Sequence, residues 1–86
     1  MGTVAGTLFK ADGTPATGGN TIQFKNRTTQ AVTNAPVATD GTYVEMIQPP
    51  GTYDIGANGS YTDNNPSSII VSTLPKYQNI TSPHAV

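Results

Sequence analysis

Two Gly-Thr-Tyr triplets, at 41–43 and 51–53, stand on either side of a proline pair, Pro49 and Pro50. No other feature of the chain limits its fold as tightly. Glycine accepts the positive φ that a tight turn demands, and tyrosine suits a pleated, half-buried strand. Proline cannot donate to a sheet ladder and presets φ for a turn. The stretch therefore predicts turn, strand, corner, strand, with a tyrosine leading each strand. Pro50 and Gly51 are expected at the two central positions of a type II turn, with Gly51 at φ > 0.

The same punctuation runs through the chain. Asp12 and Gly13, followed by Pro15, signal an early turn, and Asp40 and Gly41 signal a second. Between the turns the apolar residues alternate. Val4, Gly6 and Leu8 fall on one face of a first strand, Ile22 and Phe24 on one face of the next, and Tyr53 and Ile55 on one face of a later one. Val32 and Val37 suggest an irregular strand broken near Pro36, residues 68–74 (SIIVSTL) the most apolar strand, and residues 76–82 (KYQNITS) a last one. No segment shows a helical i, i+3, i+4 apolar stripe. Charged residues make up only 10% of the chain, while Thr, Gly and Asn abound, which favours strands and turns over helix. The expected fold is all-β: a single antiparallel β-sandwich of about seven short strands over residues 1–82, with 83–86 a frayed tail. At 86 residues, such a domain buries about 60–65% of its unfolded surface.

The stretch AGTLFKADGTPATGGNTIQF and the later DGTY…PPGTYDI together resemble carboxypeptidase regulatory-like domains, relatives of transthyretin and of the Cna-B stalk modules. The likeness covers most of residues 5–57. It implies a transthyretin-like (Ig-like) Greek-key sandwich without enzymatic activity, serving as a spacer, stalk or interaction domain, and such modules recur in bacteriophage structural proteins. The chain departs from the pattern in one strand. Glu45 and Gln48 stand where the family places an aromatic residue and a leucine, so Val44, Met46 and Ile47 are expected to supply the apolar side chains there. Some Cna-B relatives join a lysine to an asparagine through an isopeptide bond, assisted by a buried acid. Lys10 matches that lysine and Asn79 is a counterpart in the last strand. Ala57, near the usual place of the acid, cannot serve, which leaves Glu45 as the substitute. The expectation is that no such bond forms.

Catalytic parts are scarce. The chain has no cysteine and one histidine, His84, in the expected tail. The carboxylates Asp12, Asp40, Glu45, Asp54 and Asp63 are spread singly, and those at 12 and 40 belong to turns whose backbone they cap. Neither a metal nor another cofactor is expected. Formal net charge is −1, and the four Lys and Arg residues form no patch, so neither nucleic acid nor a membrane surface is an expected partner. Three Asn-x-Ser/Thr triplets, at Asn26, Asn58 and Asn79, are read as chance products of composition.

The functional expectation is a non-enzymatic structural or interaction module. The opening MGTVAGTLFK lacks a basic start and a long apolar core, so no secretory signal is expected. The leading reading is a virion component assembled in a host cytoplasm, such as a capsid decoration protein or a tail-fibre attachment domain. Its partners are larger protein assemblies or further copies of itself. The alternative is a carbohydrate-binding or adhesin module within a longer cell-surface chain. The contact surface is expected on the polar loop at 57–67, with Tyr61 exposed and Asn58 and Asn64 beside it, and on the edges of the terminal strands.

Overall fold

A computed structural model of the chain describes residues 2–86, and every described element is a strand, turn or loop. The strands are β1 (Gly2–Lys10), β2 (Thr21–Asn26), β3 (Val32–Pro36), β4 (Thr42–Ile47), β5 (Gly51–Ala57), β6 (Ser68–Val71), β7 (Lys76–Tyr77) and β8 (Ile80–Ser82). They form two sheets. One runs β4–β1–β7, with β8 also paired to β1; the other runs β3–β2–β5–β6. Their inner faces share one core. Val4, Leu8, Tyr43, Ile47 and Ile80 come from the first sheet, and Ile22, Phe24, Tyr53, Ile55 and Ile69 from the second. The alternation in the sequence is thus the alternation of core and solvent, as two stacked sheets require.

The two Asp-Gly turns are built alike. Asp12 Oδ1 accepts from the Thr14 N–H at 3.0 Å and from its hydroxyl at 2.6 Å, and Asp40 does the same with Thr42 at the same distances. Gly13 has φ 88° and Gly41 has φ 89°. These bonds, led by the threonine hydroxyl in each case, hold both carboxyl groups below their ordinary value of 3.8. The corner between β4 and β5 has the expected positive φ at Gly51 but not the expected turn type. Gly51 has φ 157° and opens β5, whereas the third residue of a type II turn needs about +80°. The Gln48–Pro49 peptide is cis.

Three further expectations are corrected. There are eight strands, and the predicted last strand is two short ones, β7 and β8. Both lie parallel to β1, so the sheets are not purely antiparallel. The break between them follows from Gly6. A Cβ there would run into the main-chain carbonyl of Gln78, which folds in over the glycine and accepts a hydrogen bond from the Tyr43 hydroxyl. Asn79 then replaces a ladder partner with its side chain, accepting from the Thr7 N–H at 3.0 Å. In β4 only Ile47 takes the apolar duty, because the register with β1 turns Tyr43, Glu45 and Ile47 inward and leaves Val44 and Met46 outside.

The segment expected to fray is seated. Asn20, 2% exposed, donates to the Val86 carbonyl and accepts from the Val86 N–H, each at 2.8 Å. Asn58 Nδ2 donates to the His84 carbonyl at 2.8 Å.

Candidate interaction surface

The outer face of the first sheet is made by the residues that the β4–β1 register turns away from the core. Thr42, Val44 and Met46 come from β4 and pair with Thr7, Ala5 and Thr3 of β1; Tyr77 of β7 pairs with Ala5 from the other side. Val44, Ala5 and Tyr77 thus lie in one row across three strands. Val44 is 62% exposed, Met46 51% and Tyr77 73%. No charged side chain stands among these residues. A shallow depression of about 420 Å³ is lined by Ala5, Thr42, Val44 and Tyr77 of this sheet together with Pro36 and Ala38 beside it.

The strand beside this face is an edge. Leu8 donates its N–H to the Gly41 carbonyl at 2.9 Å, one step before the β1–β4 ladder. Hydrogen-bonded pairs alternate along an antiparallel ladder, so Tyr43, Glu45 and Ile47 direct their main-chain groups at β1, as the Gly41 carbonyl does. Thr42, Val44 and Met46 direct theirs the other way. The Thr42 carbonyl is met by the Ala38 N–H at 2.8 Å within the hairpin. Beyond Val44 and Met46 no strand is paired among the described residues. An apolar face and an open edge therefore meet on one strand, and both suit contact with another chain.

The loop expected to carry the contact is arranged differently. Tyr61 lies on the outer face of the second sheet, its Cε2 and Cζ within 2.9 Å of where a Gly56 Cβ would be. Lys25 Nζ stands 5.6 Å from the ring centroid. Partial burial, and then the nearby Asp54 carboxylate, push the Tyr61 phenol above its ordinary value. The ring is thus half-covered by its own chain, and Tyr77 is the exposed tyrosine. Asn64, expected at the surface, is 5% exposed: it donates to the carbonyls of Ile55 and Ser60 and accepts from the Ser82 hydroxyl. Asn58 remains at the surface, yet its amide is occupied by Asn20, His84 and the Thr21 N–H. Hydropathy cannot separate these tyrosines and asparagines, since the pairing that covers them is non-local.

The remaining candidates are held apart or occupied. Glu45 pairs with Val4, six residues along β1 from Lys10, a separation of about 20 Å on an extended strand. Asn79 faces Thr7, and Lys10 pairs with Ser82. The register thus keeps the three isopeptide candidates from converging. His84 Nε2 lies 2.7 Å from the Thr62 carbonyl oxygen and 3.1 Å from Ser60 Oγ. A carbonyl can only accept, so this nitrogen carries the proton and cannot deprotonate the Ser60 hydroxyl. Asn26 is buried and caps the turn after β2 through Thr28 and Thr29. Among the described residues no three His, Asp or Glu side chains converge. No family model, curated protein or solved structure matches this chain.

Proposed function

We propose that this domain is a non-enzymatic interaction module that docks on a larger protein assembly through the outer face of the β4–β1–β7 sheet. The observation that carries this reading is the row Val44–Ala5–Tyr77 with Met46 beside it: apolar, uncharged and mostly exposed. Burying large side chains such as these removes about 1.5–3 kcal/mol each of exposure cost, enough to favour association once a partner fits. The absence of charge on the face selects a partner surface that is itself uncharged and apolar. The open edge at Val44 and Met46 adds main-chain hydrogen bonds to an extended segment of that partner.

The finer fold assignment belongs to the same proposal. The strand orders β4–β1–β7 and β3–β2–β5–β6, with a parallel strand closing on β1, support a transthyretin-like Greek key. The resemblance in residues 5–57 points to a virion component, a capsid decoration protein or a tail-fibre attachment domain, as the assembly. The adhesin alternative draws less support from the 57–67 loop, because Tyr61 is covered on Gly56.

The test mixes the purified domain with stripped particles of its source assembly and, separately, with a glycan array. Saturable binding at regular positions is expected. Val44→Lys with Tyr77→Lys should weaken it at least tenfold, about 1.4 kcal/mol, and leave the melting temperature nearly unchanged. Particle binding untouched by the double substitution would remove this face from the function. Binding to glycans alone would replace the proposal with the adhesin reading.

A further inference from the structure

Asn58 is the hub of a hydrogen-bonded clasp. Its Oδ1 accepts from the Thr21 N–H at 3.0 Å, and its Nδ2 donates to Asn20 Oδ1 at 2.9 Å and to the His84 carbonyl at 2.8 Å. Asn20 passes the connection on, holding both the N–H and the carbonyl of Val86. One side-chain amide thus ties the start of β2 to the 84–86 segment. The residue after it is Gly59, exposed, at φ 87°, with open space where a Cβ would be. An asparagine followed by an unhindered glycine is the arrangement most open to intramolecular attack by the next main-chain nitrogen, because no side chain shields that nitrogen. Asparagine is also among the thermolabile residue types.

We propose that Asn58–Gly59 is a spontaneous deamidation site whose reaction opens the clasp in one direction. The Gly59 nitrogen forms a bond to Asn58 Cγ and gives up its proton to solvent. The Cγ–Nδ2 bond breaks, and Nδ2 takes up a proton and departs as ammonia, leaving a succinimide. Water then adds to one of the two ring carbonyls and yields an aspartyl or an iso-aspartyl linkage. No electrons are exchanged, and water is the only co-reactant.

In the closed clasp the reaction is held back. The Gly59 N–H donates to Gln23 Oε1 at 2.9 Å, and both amide atoms of Asn58 are engaged. Reaction therefore requires the loop to open. Once it has occurred, the clasp cannot re-form. The new carboxylate oxygen replaces a donor and faces two acceptors, Asn20 Oδ1 and the His84 carbonyl. If Asn20 turns its amide over to donate to that carboxylate, it presents oxygen to the Val86 carbonyl and nitrogen to the Val86 N–H, and both of those bonds are lost. Either outcome loosens the 84–86 segment: the first removes its bond at the His84 carbonyl and sets a carboxylate against Asn20 Oδ1, and the second removes both bonds to Val86.

The full chain is aged at mildly alkaline pH and mapped by peptide mass spectrometry, beside a free peptide covering 55–65. Conversion at Asn58 is expected in both, more slowly in the folded chain, and faster in Gln23→Ala, which frees the Gly59 N–H without touching the clasp. Amide exchange at Val86, followed by NMR, is expected to speed up about tenfold in Asn58→Asp, the scale of one or two lost hydrogen bonds. Exchange of the Ile22 and Phe24 amides reports that the fold is retained, and Asn58→Ala separates loss of the donor from gain of the charge. An Asn58 that stays intact in the folded chain while the peptide converts would overturn the site. A Val86 amide equally protected in Asn58→Asp would overturn the release.

Discussion

The outer faces of the two sheets obey the same alternation, yet they are finished in opposite ways. On the β3–β2–β5–β6 sheet, Gln23, Lys25 and Asp54 occupy the centre, Arg27 donates to Asp54 at 2.6 Å, and Tyr61 folds down over Gly56. The exposed apolar residues of that face, Val32 and Ile70, sit singly on its two edge strands, with the charged centre between them. On the β4–β1–β7 sheet nothing folds over. Val44, Ala5 and Tyr77 form a continuous row, and no charge interrupts it. The lesson is that exposure of single apolar residues says little, and their contiguity says much. The covered face has met its polar and aromatic needs within the chain, and the bare face has not.

The largest effect is expected where the bare face is supported from beneath. Gly6→Ala places a methyl group in the Gln78 carbonyl, a main-chain atom that cannot move without breaking the β1–β7–β8 junction. A loss of about 3 kcal/mol or more is expected by urea denaturation, the upper range for overpacking. Retained stability would mean that the junction yields and that the bare face is softer than its row of residues suggests. Gly56→Ala makes the matching change on the covered face, but there the obstacle is the ring of Tyr61, which can lift away. The expected loss is nearer 1 kcal/mol. The Tyr61 phenol should return toward its ordinary value in a spectrophotometric titration, because burial is the leading cause of its rise. A ring that stays seated would show that Lys25 and Gln23, and not the glycine, hold it.

Acid should act on the two Asp-Gly hairpins. Asp12 and Asp40 have folded values below 3.8, so their contribution is present above the unfolded value and is lost as pH falls through the folded one. The double substitution Asp12→Asn, Asp40→Asn is expected to flatten the fall of the urea midpoint below 3.8, and an unchanged slope would assign the acid sensitivity elsewhere. The smallest effect is expected from Arg27→Ala. Its pair with Asp54 is 57% and 37% exposed, and such pairs are worth about 0–1 kcal/mol. A larger loss, insensitive to salt, would show that the charged face is a cooperative network.

How much of this was legible beforehand differs from residue to residue. Ile22, Phe24, Tyr53 and Ile55 were legible as core because alternation with period two is written into consecutive residues. The hairpins at Asp12–Gly13 and Asp40–Gly41 were equally legible, since the carboxylate, the glycine and the threonine that make each turn lie within three positions of one another. The corner at Pro50–Gly51 carried a turn signal, but its geometry was set by β5 beginning at Gly51. The candidate surface was hardly legible. Val44 and Met46 read as apolar replacements for a core position until the register with β1 turned them outward.

By itself, then, the sequence determined the all-β class, the places of most strands and the two Asp-Gly hairpins, because each depends on side chains that are neighbours along the chain. Only the tertiary structure decided which tyrosine is bare, which asparagine is buried, and that the last strands run parallel to the first. Those outcomes depend on partners far apart in sequence, such as Gly6 with Gln78, Gly56 with Tyr61, and Asn58 with Asn20 and His84. β7 and β8 are two and three residues long, too short to carry a period of their own, so their direction came from the strand they joined.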